Sequence, residues 1–211
     1  MITNEQMLAL TAKMPCKQIN IPANSTDEGA LFCDRAFNYF KGYIQRYYAG
    51  TFSDNKDLWL HRFLTADSER HLHSHGFNFV SVMISGRYEE EFIDRSTKKI
   101  GWRITTPEEQ ALTFEALERA CMRFGHGIKA VHPISNNFLA CCAQQNTIDV
   151  FDWHRITSVE PGTWTALVVD ADRLAVWSFQ DDNGKLEHRD SSPRDWWKSY
   201  LPRGQNVGDV Q

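Results

Sequence analysis

The sequence lacks a strong excess of charge of either sign. Its 211 residues carry 23 Lys and Arg against 27 Asp and Glu, which gives a formal net charge of -4. A protein that binds nucleic acid or an anionic membrane through electrostatics needs a basic patch, and no basic run is present. We therefore expect neither nucleic acid nor a membrane among its partners.

Long apolar runs are also missing. No stretch approaches the roughly 18 apolar residues that a membrane-spanning helix needs. Residues 1–5 are polar and do not show the charged-then-apolar pattern of a secretory signal. The five cysteines include no C-x-x-C pair, and the neighbours Cys141 and Cys142 are interpreted as packing residues. These features predict a reduced, cytoplasmic protein.

The apolar content is sufficient for one folded domain. Hydrophobic residues make up 42% of the chain, which can fill a core of ordinary size. The sequence pattern predicts a helical extension over residues 1–57 that packs on a β-barrel over residues 58–190. A helical insertion is predicted at about 105–146, and a short helix with a tail at 191–211.

Two helices are predicted before the barrel. Residues 3–13 have an amphipathic pattern, with Met7 and Leu8 on the apolar side. Ser25 and Glu28 have the spacing of a capping box, and apolar residues recur at helical intervals over 27–49. In the insertion, Thr106-Pro107-Glu108-Glu109 has the pattern of a helix start, and the helix is expected to end near Gly125.

Strands are predicted wherever β-branched and aromatic residues alternate with polar ones between turn residues. These segments are 58–64, 79–84, 88–93, 99–104, 147–151, 153–158, 164–169 and 174–179. Many short strands joined by tight turns favour a β-sandwich or barrel.

Three histidines occupy alternate positions at the start of this strand region. On an extended segment, His71, His73 and His75 would project to the same side. Neutral imidazole is a common ligand of transition metals, so a row of histidines beside an apolar strand indicates half of a metal site. The alternative is a cluster of solvent-exposed histidines.

The segment His73-Ser74-His75, followed by Gly86, resembles the first signature motif of the cupin superfamily. The later segment Phe151-Asp152-Trp153-His154-Arg155-Ile156 is similar to the family strand that supplies one more histidine. The resemblance implies an all-β core: a cupin-type jelly-roll β-barrel with N-terminal helices, an inserted helix and a short C-terminal helix. It also implies that His73, His75 and His154 are metal ligands.

The chain departs from the family pattern at several positions. Phe79 stands where cupins carry a glutamate ligand. Asp67, Asp149 and Phe151 stand where the motifs have glycine or proline. Asp152, or one glutamate of the run Glu89-Glu90-Glu91, is left open as an additional ligand or as a residue that orients a ligand.

The resemblance implies a metal-dependent enzyme. A three-histidine site leaves coordination positions open, and in similar cupins it holds iron(II) for oxygenase or dioxygenase chemistry. A zinc, nickel or manganese isomerase or hydrolase is the first alternative. A non-catalytic barrel that binds a ligand or a partner is the second. A homodimer is expected by analogy with the family.

Substrate cues are few. Guanidinium groups bind carboxylate and phosphate, so Arg87, Arg103 and Arg155 indicate a small, carboxylate- or phosphate-bearing substrate. Arg87, Tyr88 and His71 are the candidate catalytic residues. Tyr88 would supply a phenolic hydroxyl, and His71 would carry a proton.

Overall fold

The computed structural model describes residues 2–22, 40–66, 72–107, 112–122, 135–140, 142, 145–170, 177–180 and 186–189. In chain order the elements are α1 (Asn4–Thr11), β1 (Cys16–Pro22), β2 (Phe40–Thr51), β3 (Lys56–Phe63), β4 (Leu72–Ser74), β5 (Phe79–Ser85), β6 (Tyr88–Ile93), β7 (Ile100–Thr105), α2 (Phe114–Met122), α3 (Ser135–Leu139), β8 (Gln145–Ile148), β9 (His154–Val159), β10 (Trp164–Asp170), β11 (Trp177–Gln180) and β12 (Leu186–Arg189). No helix of the described segments is long and apolar enough to cross a bilayer.

The strands form two six-stranded antiparallel sheets. The first has the order β1-β2-β3-β10-β5-β8, and the second has the order β12-β11-β4-β9-β6-β7. The eight strands β3 to β10 are distributed over the two sheets in the order of an eight-stranded jelly roll. The hairpin β1-β2 extends the first sheet beside β3, and the hairpin β11-β12 extends the second sheet beside β4. The sheets do not close into a continuous barrel within the described residues. The fold is an antiparallel jelly roll, as predicted.

Each face of the first sheet has its own hydrophobic cluster because side chains alternate along a strand. On β3, Leu58 and Leu60 are fully buried in a cluster that includes Leu117 of α2. Phe63 lies on the opposite face of β3 from these leucines, and its ring centroid is 6.0 Å from that of Tyr88 in the second sheet. The helices therefore cover the outer face of the first sheet, and its inner face packs against the second sheet.

Helix α1 begins at a complete capping box. The hydroxyl of Thr3 accepts a hydrogen bond from Gln6 N at 3.2 Å, and Gln6 Oε1 accepts one from Thr3 N at 2.9 Å. Met7 is fully buried, as its place on the predicted apolar side requires. Leu8 was predicted on the same side but is 38% exposed. The indole Nε1 of Trp164 donates to Asn4 Oδ1 at 2.9 Å and ties α1 to β10.

The predicted helix over 27–49 is wrong for residues 40–49, which belong to β2. Ile44 and Tyr47 are three residues apart, as helical periodicity requires, but this segment is rich in tyrosine, which favours strands. Ile44 pairs with Phe63 of β3 in one direction and Ile19 of β1 in the other. Residues 27–39 lie outside the described residues.

Helix α2 begins later than predicted. Its cap is Thr113, whose hydroxyl accepts a hydrogen bond from Ala116 N at 3.2 Å, and not Thr106. The apolar side of α2 supplies Leu117 and Cys121 to the outer cluster. Burial raises the pKa of the Cys121 thiol to about 12, so this cysteine is a packing residue.

The other segment predictions have mixed outcomes. Each predicted strand from 58–64 to 174–179 overlaps an observed strand within the described residues, whereas β1, β2, β4 and β12 were not among the predicted strands. The predicted helix within 191–211 lies outside the described residues. The division of the chain at 57, 105–146 and 190 stays a prediction.

Candidate metal centre

The structure brings together three of the predicted histidines, which we call the histidine triad. His73 lies on β4, His75 follows this strand directly, and His154 is the first residue of β9. His73 and His154 are partners in the β4-β9 pairing, so their side chains share a face. His75 lies two residues beyond His73, at the spacing that returns a side chain to the same face.

The triad is compact and buried. One ring nitrogen from each of His73, His75 and His154 lies within 4.8 Å of the others. The ring centroids are 4.8 to 5.1 Å apart. His75 Nε2 and His154 Nε2 are 2.8 Å apart. The three residues are only 5%, 9% and 7% exposed.

The chemistry of these donors fits a divalent transition metal. Two imidazole nitrogens bound at about 2.1 Å and at right angles are roughly 3 Å apart, close to the separation between His75 and His154. Burial lowers the pKa of His75 well below its ordinary value, and the charges of His154, His73, Arg46 and His61 lower it further. His75 is therefore neutral at physiological pH, as a metal ligand must be.

Glu90 is hydrogen-bonded to the Nδ1 atom of His154. It is fully buried on β6, and its Oε2 is 3.0 Å from His154 Nδ1. Arg103 on β7 donates its Nε–H to the other carboxylate oxygen, Oε1. With its proton on Nδ1 facing this carboxylate, His154 presents the lone pair of Nε2 to the triad. Of the three consecutive glutamates, Glu90 is the one that faces the site.

Aromatic side chains form the wall around the triad. Phe79 meets the His75 ring edge-on, with 4.8 Å between the ring centroids, and Phe179 lies 5.8 Å from the ring of His73. Phe77 lies 6.1 Å from His75. Phe79 thus places an apolar ring where the cupin motif carries a glutamate, so the site has three imidazole donors in an apolar surrounding.

Two of the candidate catalytic residues, Arg87 and Tyr88, have side-chain partners outside the triad. Arg87 forms an ion pair with Glu89, and Tyr88 is buried, with its hydroxyl accepting a hydrogen bond from Asn146 Nδ2 at 3.3 Å. Neither Arg87 nor Tyr88 contacts the triad in the described part of the chain. His71 lies outside the described residues. Catalytic roles for these three residues stay predictions.

The remaining candidates serve local structure. Asp152 accepts a hydrogen bond from Asp149 N at 2.9 Å and pairs with Arg95 at 2.9 Å, so it holds the turn before β9. Arg155 donates to Glu91. Its guanidinium is therefore already paired with a carboxylate, as is that of Arg103.

A cleft of about 380 Å³ opens beside the triad at the edges of β7 and β8. His154, Arg103, Asp152 and Thr147 are among the residues that line it. The cleft brings solvent-accessible space next to His154.

Two residues on the inner face of the first sheet were not identified from the sequence. His61 on β3 is 5% exposed, and its Nε2 accepts a hydrogen bond from Arg46 Nε of β2 at 3.0 Å. His61 alternates with Trp59 and Phe63, a pattern that places all three on one face of a strand. Arg46 could not be placed on that face while its segment was interpreted as a helix.

No protein-family model and no curated protein matches the sequence. Among solved structures, the chain is similar to the DMSP lyases RdDddP and RnDddQII, with 11% identity and a TM-score of 0.36 over 71% of this chain and 53% of that chain. It is also similar to CapF with the inhibitor 3-isopropenyl-tropolone, with 9% identity and a TM-score of 0.37 over 72% of this chain and 33% of that one.

A third similar structure is Fe(II)-HppE with the alternative substrate (S)-1-HPP, with 7% identity and a TM-score of 0.32 over 73% of this chain and 56% of that chain. This chain therefore spans between a third and just over half of the length of these proteins. Because the identities and TM-scores are this low, these structures carry no argument about function. The fold is assigned from the strand order of this chain, and the candidate metal site from its own histidines.

Proposed function

We propose that the protein is a metal-dependent enzyme that binds iron(II) through His73, His75 and His154 and acts as an oxygenase on a small anionic molecule. The observation that supports the proposal is the buried triad, with three donor nitrogens within 4.8 Å of one another. When bound, iron(II) would supply open coordination positions and a readily exchanged electron.

The side chains around the triad have distinct roles in this proposal. Glu90 fixes the tautomer and orientation of His154, and Arg103 balances the buried negative charge of Glu90. Phe77 and Phe79 exclude water from one side of the site, which strengthens electrostatic interactions within it. Arg87, Tyr88 and His71 are proposed to act on the substrate or its protons.

The test combines metal content with oxygen uptake. The purified chain is made metal-free, loaded with iron(II) under anaerobic conditions and then mixed with oxygen and candidate thiols, diketones and carboxylic acids. We expect one iron per chain and substrate-dependent oxygen consumption. Stoichiometric iron with no oxygen consumption for any candidate would contradict the oxygenase proposal.

Variants of the triad test the ligands themselves. His154→Ala, His73→Ala and His75→Ala should each lose stoichiometric metal. His61→Asn is the matched control because His61 is a buried histidine outside the triad, and it should retain one metal per chain. Equal metal loss in the control would show that burial of histidine, and not the triad, determines metal binding.

Two alternatives use the same fold. A zinc, nickel or manganese enzyme would use the metal as a Lewis acid for isomerisation or hydrolysis. Elemental composition of protein from unsupplemented cells separates it from the iron enzyme. A non-catalytic binding protein would keep its ligand in the His154→Ala variant. A cytoplasmic location and a homodimer stay predictions.

A further inference from the structure

Arg46 is a cation on the inner face of the first sheet. It lies on β2 opposite His61 of β3, and its Nε donates to His61 Nε2 at 3.0 Å. Its guanidinium carbon lies 4.7 Å from the centroid of the Trp59 ring. One edge of the guanidinium is thus held by His61 and one face by Trp59. The two Nη nitrogens make no hydrogen bond with any residue that the structure describes.

No carboxylate pairs with Arg46 among the residues that the structure describes. Three other arginines of the second sheet and its turns differ in this respect. Arg87 pairs with Glu89, Arg103 with Glu90 and Arg155 with Glu91. His61 cannot neutralise Arg46, because an imidazole carries no negative charge. Burial first and the charge of Arg46 second lower the pKa of His61 well below its ordinary value, so it accepts the hydrogen bond as a neutral ring. Arg46 itself remains a cation at neutral pH, with a pKa lowered by burial to about 10.

A second unsatisfied group lies in the same row. His61 pairs with Thr165 of β10, so Arg46, His61 and Thr165 follow one another across three adjacent strands on one face of the sheet. Thr165 is 1% exposed, and its hydroxyl has no hydrogen-bond partner in the described part of the chain. A buried hydroxyl without a partner is uncommon, and each such case needs an explanation. We call these three residues the polar row.

The polar row faces the histidine triad. Trp59, beneath Arg46, lies 5.8 Å from Phe77, and Phe77 lies 6.1 Å from His75. Facing sheets pack about 10 Å apart, so the separation between the triad and the row is of the order of the length of a small molecule.

We propose that Arg46 binds the carboxylate of the substrate through its two Nη nitrogens, with the hydroxyl of Thr165 as an additional donor. The inference rests on the proposed function, in which the triad holds the reacting end of the same molecule. A guanidinium fork matches the two oxygens of a carboxylate, and such charge-assisted pairs are stronger than neutral hydrogen bonds. The substrate class is therefore a small carboxylic acid whose carboxylate lies on the sheet opposite the metal.

The test compares an anion with a neutral molecule of the same shape. Binding of propionate and of propionamide to the metal-free chain of 211 residues is measured by saturation-transfer NMR, and zinc binding is titrated separately. We expect propionate to bind about 10- to 100-fold more tightly than propionamide, as a hydrogen bond to a charged group provides. Arg46→Gln should abolish this preference while retaining zinc.

Arg62→Gln is the matched control. Arg62 is also an arginine that packs over a tryptophan ring, 5.9 Å from that of Trp164, but it lies on the neighbouring outward-facing position of β3 and donates to Gln45. This variant should keep the preference for propionate. A preference that survives in Arg46→Gln, that is lost equally in Arg62→Gln, or that is missing from the wild type would overturn the inference.

The Thr165→Val variant tests the proposed carboxylate site without changing Arg46. The substitution keeps the shape of the side chain and removes a buried hydroxyl that has no partner, so the fold should be retained or stabilised. We expect propionate affinity to fall about 3- to 10-fold, for one lost hydrogen bond. Unchanged affinity would remove Thr165 from the proposed site. Failure of zinc to bind the wild type would count against the proposed function alone, since the propionate measurement needs no metal.

Discussion

Glu90 and His154 are joined by a buried hydrogen bond between neighbouring strands of the second sheet, with 3.0 Å between Glu90 Oε2 and His154 Nδ1. Glu90 has no exposed surface, and its other oxygen accepts a hydrogen bond from Arg103. The carboxylate therefore acts on the triad through His154.

Glu90→Gln should weaken metal binding. The glutamine cannot carry the negative charge that raises the basicity of His154, and loss of a partner behind a ligating histidine typically costs 10- to 100-fold in metal affinity. We also expect a loss of about 1–3 kcal/mol in the free energy of unfolding, because Arg103 loses its counter-charge. Zinc titration and urea unfolding measure the two effects.

Glu91→Gln is the control for this prediction. Glu91 is also buried and also accepts a hydrogen bond from an arginine, Arg155, but it is the next residue of the strand and lies on the opposite face. Its substitution should reduce stability without changing metal affinity. Similar metal loss in both variants would mean that Glu90 acts through general stability and not through His154.

Gly86→Ala should destabilise the fold strongly. Gly86 has φ of +81°, and an added Cβ would lie 2.2 Å from Thr163 Oγ1 and 2.8 Å from Thr163 Cα. The left-handed conformation alone costs about 1–2 kcal/mol, and the clash with Thr163 adds to this cost. Gly162→Ala is the comparison, since Gly162 has φ of +84° with its nearest contact at 3.7 Å. Urea unfolding should show a clearly larger loss for Gly86→Ala, and equal losses would disprove the clash.

The free energy of unfolding of the metal-free protein should decrease as the pH is lowered below about 6.5. Burial lowers the pKa values of His61 and His75 in the folded protein, whereas both titrate near 6.5 in the unfolded chain. The unfolded state therefore binds more protons below this pH, and each histidine removes up to about 1.4 kcal/mol per pH unit until its folded pKa is reached. Urea unfolding from pH 7.5 to 5 should show a shallower decline for His61→Asn, and an unchanged slope would count against this assignment.

Metal should raise the melting temperature through the triad. A ligand that binds only the folded state adds about 2.7 kcal/mol of stability at a free concentration of 100 times its dissociation constant. We expect zinc to raise the melting temperature of the wild type and of His61→Asn, and a chelator to reverse the increase. The His154→Ala variant should show no increase, and an increase of wild-type size there would place the metal elsewhere.

The sequence was most informative about strands and least informative about what pairs with them. Residues 88–93 were predicted as a strand from local alternation, and β6 covers Tyr88–Ile93. The histidine motif also lies in a few consecutive residues, so His73 and His75 could be placed on one face. The partnership of His73 with His154 was implied only by the family resemblance, because it is a long-range contact.

The functional residues that were missed depend on register between distant segments. Arg46 meets His61 because β2 pairs with β3, and helical spacing within 27–49 hid that strand. The inward orientation of Glu90, as opposed to Glu89 or Glu91, depends on which face of β6 packs against the first sheet. Three adjacent glutamates contain no local signal for this choice.

The pairing of His73 with His154 connects segments far apart in the chain: His75 and His154 are separated by 79 positions. An ion held by the triad would cross-link these segments, as a disulfide does for the loop that it closes. Global unfolding would first require the ion to be released. The metal-loaded protein should therefore persist long after transfer to denaturant, with a lifetime set by the rate of metal release.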